Sequence, residues 1–179
     1  MSNARLRRRY RHPPWYSWRE DHCLVAVDLG KRKVGVALFG EDGVLIQAKT
    51  IHTQRGTPDW NPHTTADAVL AWVCENAPLK EDWVCEWPAI RPKDKNASDV
   101  RTLLQVGNSL EQEVGKWREK FVPSEWKRNV GKDLHHQRLR AALDPEEQEM
   151  WDRLGHDARD AVGIGLFALG RTDCIGRAL

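Results

Sequence analysis

The chain has 179 residues, 40% of them hydrophobic and 30% charged, with a formal net charge of +2, which favours a single soluble domain with a real core. No apolar run approaches the ~20 residues of a membrane-spanning helix, and no apolar signal segment follows the N-terminal arginines. The four cysteines form no Cys-x-x-Cys pair, so the sequence predicts a cytoplasmic protein with reduced thiols, no zinc site and no membrane contact.

Residues 1–21 are predicted to form a basic, flexible arm ahead of one domain at 22–179. The first 19 residues contain six arginines and no acid, which leaves 22 basic against 26 acidic residues in the rest of the chain. A basic arm with interleaved aromatic residues is typical of nucleic-acid binding, because bases stack on the aromatic rings; a solvated tail without specific contacts is the alternative. The arginines expected to bind nucleic acid are Arg7, Arg8, Arg9 and Arg11.

Three consecutive strands are predicted at 23–28, 33–39 and 44–51. Glycine supplies the first turn, and Glu41-Asp42-Gly43 is a strong hairpin signal for the second. The first strand is an apolar run that ends in Asp28. This places a carboxylate at the mouth of a tight hairpin, which is an unusual position for an unpaired acid.

Helices and short strands alternate over the rest of the chain, and the order βββαβαβα predicts an α/β fold, with a mixed five-stranded sheet and helices on its faces. The predicted elements are a helix from Thr64 or Thr65 to about Asn76, a strand at 82–86, a basic loop at 87–96, a helix from Ser98 through Val114, a strand at Phe121-Val122, a helical turn from Pro123 to Lys127, a basic helix at 133–143, a helical region opening at Asp144, and a last helix from Gly155 or His156.

The last helix has a competing interpretation, since 162–166 alternates between apolar residues and glycine as a strand does. A helix is preferred, although each glycine costs it about 1 kcal/mol relative to alanine. Asp157 and Asp160 then lie on the same face, where two like charges repel unless a cation is near. An alternative is a solvated face neutralised by Arg153 and Arg159.

Four segments carry a family resemblance. They are Val27-Asp28-Leu29-Gly30 with Gly35 and Ala37; Val84-Cys85-Glu86 with the later Asn96-Ala97-Ser98 and Gly107; 122–132; and His156 to Ala161. In order and spacing they resemble the RuvC-type Holliday junction resolvases of the ribonuclease H-like superfamily, and a bacterial or bacteriophage version is expected. The arginine-rich arm departs from the usual pattern. So does Ala89, which stands where the family often places an aromatic wedge, while Trp87 follows Glu86 at once.

The resemblance implies a ribonuclease H-like fold and an endonuclease that nicks four-way DNA junctions symmetrically as a homodimer, leaving 5′-phosphate and 3′-hydroxyl ends. It also implies two Mg²⁺ ions per site, replaceable by Mn²⁺, and a dimer surface on the helix at 98–120. Its implied catalytic and metal-binding acids are Asp28, Glu86, Asp157 and Asp160; Lys127 and Lys132 would offset charge on the phosphate; and the further nucleic-acid contacts would be Trp87, Arg91, Lys93, Lys95 and Arg128.

Three alternatives remain open at this point. The same acids would serve a ribonuclease H-like nuclease acting on structured RNA, RNA–DNA hybrid or other branched DNA. The basic arm and loop would equally serve a non-catalytic nucleic-acid-binding module. An Asp-x-Gly hairpin also opens sugar-kinase and actin-type ATPases, but no second glycine-rich phosphate hairpin is present in 179 residues. His156 is either a metal contact or an ordinary residue at the start of a helix.

Overall fold

The structure is a computed structural model that describes residues 22–53, 61–77, 80–88, 97–127, 130–173 and 176–178. The predicted arm at 1–21 and most of the predicted loop at 87–96 lie outside these ranges. The elements in chain order are β1 (His22–Asp28), β2 (Lys33–Phe39), β3 (Leu45–His52), α1 (Pro62–Asn76), β4 (Lys80–Glu86), α2 (Ala97–Val114), β5 (Glu119–Phe121), α3 (Pro123–Trp126), α4 (Lys132–Ala141), α5 (Pro145–Asp152) and α6 (His156–Ala168).

The five strands form one mixed sheet in the order β3-β2-β1-β4-β5. Strand β2 is antiparallel to both β1 and β3, as the two predicted hairpins require. Strand β4 pairs with β1 in parallel, and β5 pairs with β4 in parallel. This arrangement confirms the predicted α/β class and the predicted mixed five-stranded sheet. Within the described ranges, no helix is long and apolar enough to cross a membrane.

The central strand β1 is buried on both faces, which explains its uninterrupted apolar sequence. Because side chains alternate along a strand, Leu24 and Ala26 face one core while Val25 and Val27 face the other. The core that contains Leu24 is covered by α3 to α6, and the core that contains Val25 is covered by α1 and α2. The helices therefore lie on both faces of the sheet, as predicted.

Helix α6 lies directly on β2 because two glycines allow close approach. A Cβ atom on Gly35 would lie 1.8 Å from the carbonyl oxygen of Asp157, and one on Gly165 would lie 2.1 Å from the Phe39 ring. The two contacts are equally far apart along both elements. The four residues from Gly35 to Phe39 span about 13 Å of strand, and the eight residues from Asp157 to Gly165 span about 12 Å of helix. The helix therefore runs alongside β2, and the helical interpretation of this segment is confirmed.

A buried ion pair anchors the end of α6 that lies furthest from Asp28. Arg171, 3% exposed, contacts Glu147, 2% exposed, at 2.6 Å and also donates to the Gly43 and Ala142 carbonyls. Glu147 in turn accepts from the Leu45 amide. Burial opposes ionisation of Glu147, but the hydrogen bonds and charge of Arg171 outweigh it and lower the pKa of Glu147. The pair ties α5 and the β2–β3 turn to the end of α6.

Some predicted boundaries were wrong. Asn61, rather than Thr64 or Thr65, caps α1, and Thr64 completes a capping box by bonding back to the Asn61 amide. Strand β4 begins at Lys80, two residues before the predicted 82, because its backbone continues to pair with β1. Strand β5 covers 119–121 and ends one residue before Val122.

Candidate active site

The sheet places the first two predicted acids side by side. Asp28 and Glu86 are the last residues of the parallel neighbours β1 and β4, and the register pairs them directly. Adjacent strands are about 4.8 Å apart, so their Cβ atoms are neighbours. Alternation puts both side chains on the face that carries α6, because Ala26 and Val84, two residues earlier, belong to that core. The carboxyl end of the sheet therefore carries two carboxylates on one face.

Helix α6 brings the other two acids to the same place. Gly35 is the β2 partner of Asp28, and it is also the residue against which the Asp157 backbone packs. The first turn of α6 thus lies next to the end of β1, and Asp160 follows on the same helical face. Four acids from three distant segments of the sequence therefore lie near the end of β1.

The pKa of Asp28 is affected both by burial and by the neighbouring acids. Burial is the largest cause of a pKa well above the ordinary value, and the negative charges of Asp160 and Glu86 follow. Lys127 opposes these effects, and Asp157 adds to them. Burial and three other carboxylates thus act on Asp28 in the same direction, and Lys127 acts against them.

The carboxylate of Glu86 contacts two side chains, those of Trp126 at the end of α3 and of Lys127, the next residue. Its Oε2 atom lies 2.8 Å from the Lys127 Nζ and accepts a 2.8 Å hydrogen bond from the indole nitrogen of Trp126. Burial would lower the pKa of Lys127, but the charge and hydrogen bond of Glu86 outweigh it and raise that pKa. Lys127 therefore enters the pocket as a cation, in contact with a predicted metal ligand.

Helix α4 holds Asp160 by both of its oxygens. Oδ1 lies 2.7 Å from the Nε2 atom of His136, and Oδ2 lies 3.6 Å from the Nζ of Lys132. Burial opposes ionisation of Asp160, but the hydrogen bond of His136 and the charges of Lys127 and Lys132 lower its pKa. Asp160 is therefore a carboxylate at neutral pH.

Two residues of this site were not predicted from the sequence, Trp126 and His136. Trp126 lies in the predicted helical turn, where a role was predicted only for the neighbouring Lys127. His136 lies in the basic helix, beside a second histidine, and helical periodicity alone does not tell which of the two faces α6. Its position four residues after Lys132 was the available signal, since residues at this spacing share a face.

The four acids provide the hard oxygen ligands that Mg²⁺ and Mn²⁺ prefer. Within the described ranges, however, no three acidic, histidine or cysteine side chains are already arranged to hold a metal ion. Glu86 instead contacts Lys127, and Oδ2 of Asp160 lies near Lys132. The donor set fits a divalent cation in type and location, provided that these contacts rearrange.

The alternative in which arginines neutralise α6 is not supported by the contacts of Arg159. Its guanidinium donates to the carbonyls of Trp151 and Asp152 and lies 5.5 Å from the Trp151 ring centroid. Glu86 and Asp160 instead contact lysines and a histidine.

The predicted nucleic-acid contacts are mostly outside the described residues. Of these, Trp87 is described: it is half-buried, its ring packs against Gly107 of α2, and Lys120 lies 4.0 Å above it. His156 is exposed and stacks on His136 at 5.5 Å. The residues that fall outside are Arg7, Arg8, Arg9, Arg11, Arg91, Lys93, Lys95 and Arg128.

No protein-family model and no curated protein sequence matches the chain. Among solved structures, it is similar to T. thermophilus RuvC in complex with a Holliday junction substrate, with 17% identity, a TM-score of 0.48, and coverage of 80% of this chain and 90% of that one. It is also similar to a Thermus thermophilus RuvC structure, with 17% identity, a TM-score of 0.39, and coverage of 80% and 91%. At these TM-scores, the function has to be inferred from the site itself, and the expected bacterial or phage source stays a prediction.

Proposed function

We propose that this protein is a metal-dependent endonuclease that nicks four-way DNA junctions, with Mg²⁺ or Mn²⁺ held by Asp28, Glu86, Asp157 and Asp160. The observation that carries the nuclease proposal is the convergence of these acids around the end of β1 with a lysine among them. The junction as substrate is inferred from the four sequence segments that resemble RuvC-type resolvases.

In this proposal the acids serve a shared ion rather than separate surface contacts, and the fold supports it by bringing them together. Asp28 is forced beside Glu86 by the register of two parallel strands, and the absence of a side chain at Gly35 lets α6 come near. Like charges brought this close repel one another unless a cation lies between them, and such clusters concentrate at functional sites. When bound, a pair of divalent cations supplies an activated water and stabilises the charge on the cleaved phosphate and its leaving oxygen.

The two lysines have separate tasks in this proposal. Lys127 balances the charge of Glu86, and with Glu86 holding a cation its ammonium would be available to the phosphate, whose negative charge grows in the transition state. Lys132 is 53% exposed at the rim, so it is free to contact the DNA backbone beside the pocket. The basic arm would bind further phosphates, so junction binding should weaken steeply with added salt.

Symmetric nicking requires two active sites, and each chain carries one set of acids. A two-fold homodimer is therefore part of the proposal, with α2 as the candidate surface. Light scattering of the purified protein, alone and with junction, tests this part independently of cleavage.

The test is an incubation of the purified protein with labelled four-way junction, linear duplex, flap and RNA–DNA hybrid, in Mg²⁺, in Mn²⁺ and in chelator. We expect paired nicks in the junction with either metal and none in chelator. Asp28→Asn and Asp160→Asn should each lower the cleavage rate by more than about 10²-fold while junction binding is retained. Asp152→Asn is the matched control, since Asp152 is an exposed acid paired with Arg140, and it should cut normally.

Each other outcome selects a different function. Cleavage of the hybrid alone would indicate a ribonuclease on the same fold, and equal cleavage of linear duplex would remove junction specificity while keeping the nuclease. If no substrate is cut and metal does not raise the melting temperature, the nuclease proposal fails and a binding module remains.

A further inference from the structure

The contacts of the two Asp160 oxygens differ in length and in exposure, and the proposed chemistry does not by itself require this difference. Lys132 and His136 lie one turn apart on α4 and take one oxygen of Asp160 each. The Lys132 contact is long, at 3.6 Å, and its side chain is 53% exposed. The His136 contact is short, at 2.7 Å, and its side chain is 7% exposed. One oxygen is thus held loosely at the rim and the other is held firmly in the interior.

The ring of His136 is fixed by neighbours on two sides. It stacks on His156 with a centroid distance of 5.5 Å and an interplanar angle of 29°, and it meets Trp151 edge-on at 5.7 Å and 90°. An ionised carboxylate only accepts hydrogen bonds, so the Nε2 atom of His136 is the donor to Asp160. A buried ring that is packed in this way has little freedom to turn away from its acceptor.

We propose that His136 is a positioning residue of the proposed nuclease site: it fixes Oδ1 of Asp160 so that Oδ2 faces the pocket and is available to a divalent cation. The inference rests on the proposed function, because it concerns the way in which one of the four acids is presented. His136 itself makes no contact with the cation or with DNA in this proposal. Hydrogen-bonded partners of ligating groups commonly set the orientation and affinity of a metal site.

The geometry separates this role from that of Lys132. When a cation binds at Oδ2, the exposed lysine can move into solvent at little cost, whereas Asp160 keeps its hydrogen bond to His136. Without that bond, the carboxylate is free to rotate, and part of the binding free energy is lost in ordering it. The expected consequence is weaker cation binding in a protein that is still folded.

The test compares His136→Gln and His136→Leu. Glutamine keeps an N–H donor near the position of Nε2, whereas leucine fills the buried space without a donor. We expect His136→Leu to weaken Mn²⁺ binding by about 10–100-fold, measured from the free Mn²⁺ signal in electron paramagnetic resonance, and His136→Gln to restore most of it. Cleavage by His136→Leu should recover as Mg²⁺ is raised, and junction binding in chelator should be unchanged.

His156→Leu is the matched control, because it removes the stacked ring and leaves the hydrogen bond to Asp160 in place. It should affect Mn²⁺ binding less than His136→Leu does. Melting curves of all variants identify any that fail to fold, and the glutamine variant keeps the test decisive if leucine is not tolerated: the inference then predicts near-normal Mn²⁺ affinity for glutamine.

The failure of this inference differs from the failure of the proposed function. Suppose that the unmodified protein binds Mn²⁺ and cuts junctions. If folded His136→Leu then binds Mn²⁺ equally well, His136 has no positioning role. The same conclusion follows if folded His136→Gln loses about 10–100-fold in Mn²⁺ affinity, as expected for a variant without a hydrogen-bond donor. If the unmodified protein neither binds Mn²⁺ nor cuts, both the proposed function and this inference are overturned.

Discussion

Replacing Gly35 by alanine should separate α6 from the acids of the sheet without touching any acid. The new Cβ atom would lie 1.8 Å from the carbonyl oxygen of Asp157, whereas real Cβ atoms essentially never approach closer than 3.0 Å, so the backbones have to part by about 1.2 Å. No side-chain rotation relieves the contact, because the opposing atom belongs to the backbone of α6. The displacement therefore moves Asp157 and Asp160 away from Asp28.

The expected effect follows from this distance. A misplacement of about 1 Å in a catalytic constellation can lower the rate by about 10²-fold, and overpacking typically costs about 1–3 kcal/mol of stability. For a chain of this size, each kcal/mol corresponds to about 2–4 °C in melting temperature. The Gly35→Ala variant should thus melt earlier and, at a temperature where it remains folded, nick four-way junctions about 10²-fold more slowly than the unmodified protein.

Two other glycines provide matched controls. Gly165→Ala crowds the Phe39 ring at the opposite end of α6, so it should lower the melting temperature with a much smaller loss of cleavage. Gly131→Ala brings the new Cβ within 4 Å of none of the described residues beyond its two chain neighbours, and its φ of −57° is ordinary, so it should be neutral although Lys132 follows it. If Gly35→Ala cleaves at the rate of the unmodified protein, the acids of α6 and of the sheet do not act together.

Two further predictions concern stability. Burial and the neighbouring carboxylates raise the pKa of Asp28, so the folded state binds a proton more tightly than the unfolded state, and Asp28 increasingly destabilises the fold as pH rises above about 4. In chelator at neutral pH, Asp28→Asn should therefore raise the free energy of unfolding by about 1–2 kcal/mol, and this gain should vanish below pH 4. Denaturant titrations at both pH values measure it. Equal free energies of unfolding for the variant and the unmodified protein at neutral pH would contradict it. Arg171→Met should cost about 3–5 kcal/mol, because it leaves Glu147 charged and buried, and the added change Glu147→Gln should recover part of this loss. Since Arg171 lowers the pKa of Glu147, the pair stabilises the unmodified protein above the ordinary glutamate value of 4.5, and its contribution is lost as pH falls through the lower folded value; a mutational cost that does not shrink in acid would contradict this account.

The parts of the site that lie on strands could be predicted because their position follows from local pattern. An apolar run that ends in an acid fixes both the end of the strand and the face of the acid, and this was sufficient for Asp28 and Glu86. Strand β4 nevertheless begins earlier than predicted, at Lys80. Its polar residues carry no apolar signal, and they are held in the strand by backbone pairing with β1, which the local sequence does not reveal.

The helical side of the site was less accessible from the sequence. The glycines of α6 argue against a helix by local propensity, and they are tolerated because Gly163 and Gly165 face Leu139, Trp126 and Phe39 at distances where a Cβ would clash. His136 was missed for a related reason, since its role depends on how α4 is rotated relative to α6. Packing between segments far apart in the sequence decides such rotations, and no local periodicity reports it.

The crowding of carboxylates at the end of β1 has a consequence for how variants of this protein would be selected. Any screen that rewards heat resistance in the absence of metal should favour the loss of an acid at this end of the sheet, because neutral replacements relieve the repulsion. The same screen should reject changes near Arg171, where buried charges are already matched. Variants selected in this way would be thermally stable but unable to cleave, so thermal stability and cleavage activity have to be measured together when this protein is engineered.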